Sequence, residues 1–193
     1  AIYIPTKEQE DEKQIQDIVD TAARARAAGY DGVEIMGSEG YFLNQFLVTH
    51  TNKRTDRWGG SYENRMRLPV EVVRRTREAV GHDFIIIYRL SMIDLVPNGS
   101  THDEVVELAK ENEKVGATII NTGIGWHEAR VPTIATSVPR AAFAGVTAKL
   151  KPHVKLPLRR LLQTKLHQMW LRKLSQILLQ LIKAQQKRQQ KLQ

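Results

Sequence analysis

The 193 residues suffice for one compact domain but fall short of the roughly 250 that a complete (β/α)8 barrel needs. Apolar residues make up 41% and charged residues 26%, an ordinary globular balance, and the absence of cysteine excludes disulfides, thiolate metal sites, iron–sulfur ligation and a nucleophilic thiol. The net charge of +8 is lopsided: all 21 acids lie in residues 1–128, while residues 129–193 hold 14 Lys+Arg and no acid, which is not the uniform basic field of a nucleic-acid binder.

Thr6-Lys7-Glu8-Gln9 fits a capping box, and Ile15, Ile18, Val19, Ala22 and Ala23 follow on one helical face, with Gly29 as a stop. Gly32 to Met36 reads as a short buried strand. Ser61 caps a helix running to about Val80 with Gly81 as its stop, and Pro69 should kink that helix or mark its true first turn. Phe84 to Tyr88 is the clearest strand, apolar on both faces as in a parallel barrel. Thr101-His102-Asp103-Glu104 forms a second capping box, opening a helix that Gly116 ends. A strand at 117–122, a helix from Pro139 to Leu150 and a strand at 154–158 complete the alternation. Strands alternating with helices of this length imply parallel βαβ units.

Chemistry in a parallel barrel gathers on loops leaving the C-terminal ends of strands. Three such loops stand out. The first runs through Gly40-Tyr41-Phe42-Leu43-Asn44-Gln45-Phe46-Leu47 and on through Arg54 to Arg65. The second is Tyr88-Arg89-Leu90-Ser91, and the third is Gly125-Trp126-His127-Glu128-Ala129-Arg130. Gly123-x-Gly125 lacks the third glycine and following helix of a dinucleotide fingerprint.

These stretches, in this order and separation, resemble the old yellow enzyme family of FMN-dependent ene reductases, and within it the bacterial-type 2,4-dienoyl-CoA reductases of fatty acid β-oxidation. The resemblance covers roughly residues 15–158. It implies an α/β chain forming part of a TIM barrel, about strands four to seven, with FMN over the barrel mouth. It further implies an oxidoreductase that passes hydride from reduced flavin to an activated alkene or enoyl-CoA, with NAD(P)H as the reductant of the full-length relatives. Carried over, Tyr41 resembles the proton donor, and a phenol does keep its proton at neutral pH. His127 resembles the second catalytic residue, on the thioester side. Arg89 resembles the cofactor-binding arginine, whose fixed charge favours the anionic reduced ring; an ion pair with Glu34 or Glu39 can coexist with that role. Glu128 and Arg130 are candidate contacts for a CoA thioester, with solvated surface charges as the alternative. Asn52, Arg54, Asp56, Glu63 and Arg65 read as a polar cluster that pins a long loop.

The resemblance also implies parts outside these 193 residues. The first three strands are expected before Ala1, consistent with a chain lacking an initiating Met, and the phosphate-binding loops beyond Leu158. The cysteine-bound 4Fe–4S cluster and the FAD and NADPH domains of the dienoyl-CoA reductases have no counterpart. No apolar run approaches the roughly 18 residues of a membrane span, and no signal-peptide pattern opens the chain, so a cytoplasmic location is expected. No metal is expected.

Residues 1–158 are therefore expected to form a partial FMN-binding barrel domain, and 159–193 a basic Leu/Gln/Lys-rich helical tail foreign to the family. Read with the third base of each codon joined to the first two of the next, Leu162 to Leu166 can encode Thr-Asn-Lys-Ile and His167 to Trp170 Pro-Asp-Val. Met and Trp have single codons, which forces the Val. A shifted reading frame is thus the expected origin of the tail, and the fragment alone is expected to be inactive. The competing expectation is a non-catalytic half barrel whose basic amphipathic tail binds a membrane or nucleic acid.

Overall fold

Glu8–Ala27 forms helix α1 in the computed structural model, which describes residues 8–131, 133 and 135–160. The helices and strands between residues 8 and 160 all belong to one compact unit. The expected cap at Thr6 and the tail beyond residue 160 lie outside the described residues. Ile15, Val19 and Ala22 are buried on one face of α1, as their spacing requires.

Strand β1, Gly32–Gly37, follows, and Phe42–Leu47 then turns into a short helix α2 where only a loop is expected. The Asn44 side chain accepts the Gly40 N–H at 3.0 Å, the Gln45 amide donates to the Gly40 carbonyl at 2.6 Å, and the Phe42 and Phe46 rings pack edge-on at 5.2 Å. Helix α3, Tyr62–Val80, starts at Ser61, which accepts the Asn64 N–H, and stops at Gly81 with φ 71°. It passes through Pro69 without a break, so Pro69 does not mark the first turn. Leu68, Val72 and Val73, none exposed, anchor the helix on both sides of the lost backbone donor.

Strand β2 is Ile85–Ser91 and helix α4 is His102–Lys114, with both halves of the Thr101–Glu104 capping box formed. Strand β3, Ile119–Gly123, begins two residues later than expected, because Thr118 is still occupied: its hydroxyl accepts the Ile86 N–H and an Arg77 N–H. Helix α5 is only Ala144–Leu150, shorter than the expected span from Pro139, and its first residue has no side-chain cap. A 3-10 turn at Lys151–His153 leads to strand β4, Leu158–Arg160. The strand expected at 154–158 is therefore displaced; within that span Pro157 lacks the N–H group a parallel ladder needs. β4 also runs across position 159, where the resemblance is expected to end.

The sheet is parallel in the order β1-β2-β3-β4. Register sets Met36 beside Arg89, Arg89 beside Asn121 and Asn121 beside Arg159. One face buries Ile35, Ile86, Tyr88, Leu90 and Ile120 against the helices, each worth about 1.5–3 kcal/mol of apolar burial. The opposite face carries Glu34, Met36, Ile85, Ile87, Arg89 and Asn121, and among the described residues it is open, with Met36 38% and Ile85 39% exposed. This is the barrel-interior face, which explains why β2 reads as apolar on both sides.

The two ends of the sheet differ in kind. At the N-terminal end, Arg77 donates to the carbonyls of Gly81, Phe84 and Gly116, closing loops with a buried guanidinium. Burial lowers the affinity of Arg77 for its proton. The C-terminal end holds the candidate residues.

Candidate active site

The chain leaves β1 through Ser38, and Glu39 and Gly40 both take positive φ, 65° and 82°. That pair reverses direction and presents Tyr41 at the start of α2. Gly40 is required by space as well as by φ: a Cβ there would sit 2.8 Å from Cε3 of Trp126. For Glu39 the left-handed backbone is a strained choice. Its surroundings hold it there: the carboxylate pairs with the Arg89 Nη2 and with Arg89 Nε at 3.0 Å, and the carbonyl accepts the His127 N–H at 3.4 Å. Arg89 also lies 3.6 Å from Glu34, whose other oxygen accepts from the Asn121 amide at 2.8 Å.

Tyr41, Arg89 and His127 thus come together through one two-residue turn. The Tyr41 and His127 rings meet edge-on with centroids 5.2 Å apart. Both side chains face solvent, Tyr41 at 48% exposure, so a substrate can reach them. Glu128 is exposed, and its carboxylate leans toward Gly40. Arg130 is exposed and forms no ion pair among the described residues.

Most of the expected loop cluster does pin the segment between α2 and α3. Buried Asn52 donates to the carbonyls of Phe46 and Trp58 at 2.7 and 2.8 Å. Arg65 donates to the carbonyls of Leu47 and Gly60, both at 2.7 Å, and pairs with Glu104 of α4 at 2.6 Å. Arg54 spans Asp56 and the fully buried Asp11 of α1. Burial raises the Asp11 carboxyl above its ordinary range against the pull of Arg54, whereas the Arg54 hydrogen bonds lower Asp56. Glu63 stands apart, with a surface pair to Arg67 at 3.7 Å as its one ion pair among the described residues.

Asp94 and Asn121 carry no expected role, yet both are built into this end of the sheet. Asp94 is 2% exposed and accepts hydrogen bonds from Asn44, Ser91, Ser100 and Trp126. The one available signal was an acid within the apolar run Met92 to Val96, since a buried carboxylate must find donors. Asn121 has its Oδ1 buried and without a hydrogen-bond partner.

The residues of the inner face fit the polar edge of a flavin ring. Arg89 retains N–H directions beyond those that point to Glu39, and the orphaned Asn121 oxygen, on the neighbouring register position, is an acceptor for a ring N–H. The carboxylates of Glu34 and Glu39 already balance the Arg89 charge, so its value to an anionic ring is reduced.

A parallel α/β sheet with such a rim at its C-terminal end defines a piece of a TIM-barrel flavoenzyme. The chain belongs to the NADH:flavin oxidoreductase / NADH oxidase family, the old yellow enzyme family, whose sequence profile matches residues 6–171. That match extends past the expected break at Arg159. The chain is 44% identical over 150 residues to the metal reductase of Desulforamulus reducens, covering 76% of this chain and 22% of that protein. It is 42% identical over 123 residues to the NADH oxidase of Thermoanaerobacter brockii, covering 64% of this chain and 19% of that one. The solved 2-naphthoyl-CoA reductase in complex with 2-naphthoyl-CoA superposes with a TM-score of 0.79 at 33% identity, over 81% of this chain and 24% of that chain. This chain therefore spans about a fifth of the length of these two curated relatives. No helix among the described residues is long and apolar enough to cross a membrane.

Proposed function

We propose that this segment supplies the proton-donating half of an ene-reductase site acting on an enoyl- or dienoyl-CoA-type alkene, with NAD(P)H as reductant of the complete enzyme. The observation that carries the reading is the edge contact of Tyr41 with His127 beside the turn that also holds Arg89. FMN, when bound, supplies the hydride. Tyr41 holds a proton on its phenol oxygen at an exposed position, where it can protonate a substrate carbon. His127 lies against that ring and can donate to the carbonyl oxygen of a thioester, drawing charge away from the carbon that Tyr41 must protonate. Arg89 and Asn121 would hold the polar edge of the ring. Glu128 and Arg130 flank His127 on the exposed side, where a thioester's polar arm would pass.

The closeness of this fold to a naphthoyl-CoA reductase supports a thioester substrate class. The test is anaerobic reoxidation. A complete barrel carrying this segment is loaded with FMN, reduced with NADH and mixed with a 2-enoyl thioester. The expected result is flavin reoxidation with formation of the saturated thioester. No reoxidation by any activated alkene would overturn the reading.

A further inference from the structure

Asp94 lies just beyond the end of β2, and its buried carboxylate is satisfied by neutral donors from separate segments. Oδ1 accepts from the Ser91 hydroxyl at 2.7 Å, the Trp126 indole N–H at 3.0 Å and the Asn44 amide at 3.2 Å. Oδ2 accepts the Ser100 N–H at 2.7 Å, and the Asp94 carbonyl takes the Trp126 backbone N–H at 3.0 Å. Two of these arms end beside the candidate acid pair. Asn44 passes through its own oxygen to the N–H of Gly40, the residue before Tyr41. Trp126 is the residue before His127, and its ring lies against Gly40.

We propose that Asp94 is the positioning residue that holds Tyr41 and His127 edge to edge, an inference that rests on reading those two as the acid pair. Without the carboxylate, the backbone hydrogen bond that joins the two loops among the described residues is the long 3.4 Å bond from the His127 N–H to the Glu39 carbonyl, with the Trp126 ring against Gly40 and His50 as the remaining packing. The Trp126 and Asn44 donors would then be buried and unpaired, a state each loop escapes by moving toward water. Low local dielectric makes such a shared acceptor stronger than its separate bonds, so the two loops move together or not at all.

The test uses the 193-residue chain, isotopically labelled, and reads the nuclear Overhauser cross-peak between the Tyr41 and His127 rings. Asp94→Ala should abolish it. Arg77→Ala, which strips buried carbonyls of their donor at the far end of the sheet, should destabilise the chain yet retain the cross-peak. Trp126→Phe keeps an aromatic ring on Gly40 and deletes only the indole donor, and it should also lose the contact. A cross-peak that survives Asp94→Ala, or that disappears equally in Arg77→Ala, overturns the proposal. If Asp94→Ala does not fold, Trp126→Phe decides, and a retained contact overturns it. Absence of the cross-peak in the native chain does the same. Loss of the contact with unchanged alkene-reduction kinetics in the complete barrel would instead sink the acid-pair reading and leave the positioning standing.

Discussion

Tyr41 and His127 lie on loops after different strands, yet their rings meet at 5.2 Å, because both loops close on the same turn at Glu39 and Gly40. A phenol and an imidazole so placed can serve two atoms of one conjugated carbonyl substrate. The consequences extend to stability as well as chemistry.

Gly37→Ala should destabilise the chain. A Cβ at Gly37 would sit 2.2 Å from the Tyr88 hydroxyl, and Tyr88 is fully buried, so the ring or the strand must shift. Overpacking of this kind costs about 1–3 kcal/mol, read as a lower urea midpoint with an unchanged slope. An unaltered midpoint would mean that the ring has free space behind it.

Acid stability should depend on Glu71. Hydrogen bonds from Arg74, and then Arg75, lower its carboxyl from 4.5 to about 2 against the effect of burial. A folded value below the ordinary one means that this stabilisation is complete above about pH 4.5 and is lost as pH falls toward 2. Partial exposure of both arginines screens the pair, so Glu71→Gln should remove about 1 kcal/mol at neutral pH and little at pH 2. Parallel acid-unfolding curves for the two proteins would contradict this.

The DNA should carry an insertion or deletion near codon 159, with family-like sequence resuming in another frame. An intact frame with no such sequence in either alternative would refute it. β4 continues through Arg159 and Arg160 in register with β3, and the family match runs in frame to residue 171, so both weigh against a break at codon 159 itself and the DNA decides between them.

Element order was legible in the sequence wherever caps and stops bracket an apolar run, as at Ser61 to Gly81 and Thr101 to Gly116. Boundaries failed where tertiary partners decide. Thr118 is taken out of β3 by its side-chain bonds to Arg77 and Ile86, and Pro157 stands within the span expected for β4. That Tyr41, Arg89 and His127 gather at one end of the sheet was legible, because each follows or ends a strand in the same sense. Their common anchor was not, because Asp94 gathers donors from segments far apart in the chain, and no local pattern encodes that convergence. Asn121 escaped for the same reason: its orphaned oxygen exists only once β2 and β3 pair.

The most direct measurement is stopped-flow kinetics of both half-reactions for Tyr41→Phe in a complete, FMN-loaded barrel carrying this segment. Tyr41 is proposed to act only when the substrate carbon is protonated, and reduction of the flavin by NADH involves no such step. The expected result is slowed alkene reduction, by the 100-fold or more typical of a lost general acid at roughly 10²–10⁴, with flavin reduction nearly unchanged. Equal loss in both half-reactions, or no loss in either, would contradict the account and leave Tyr41 as an anchor of its loop.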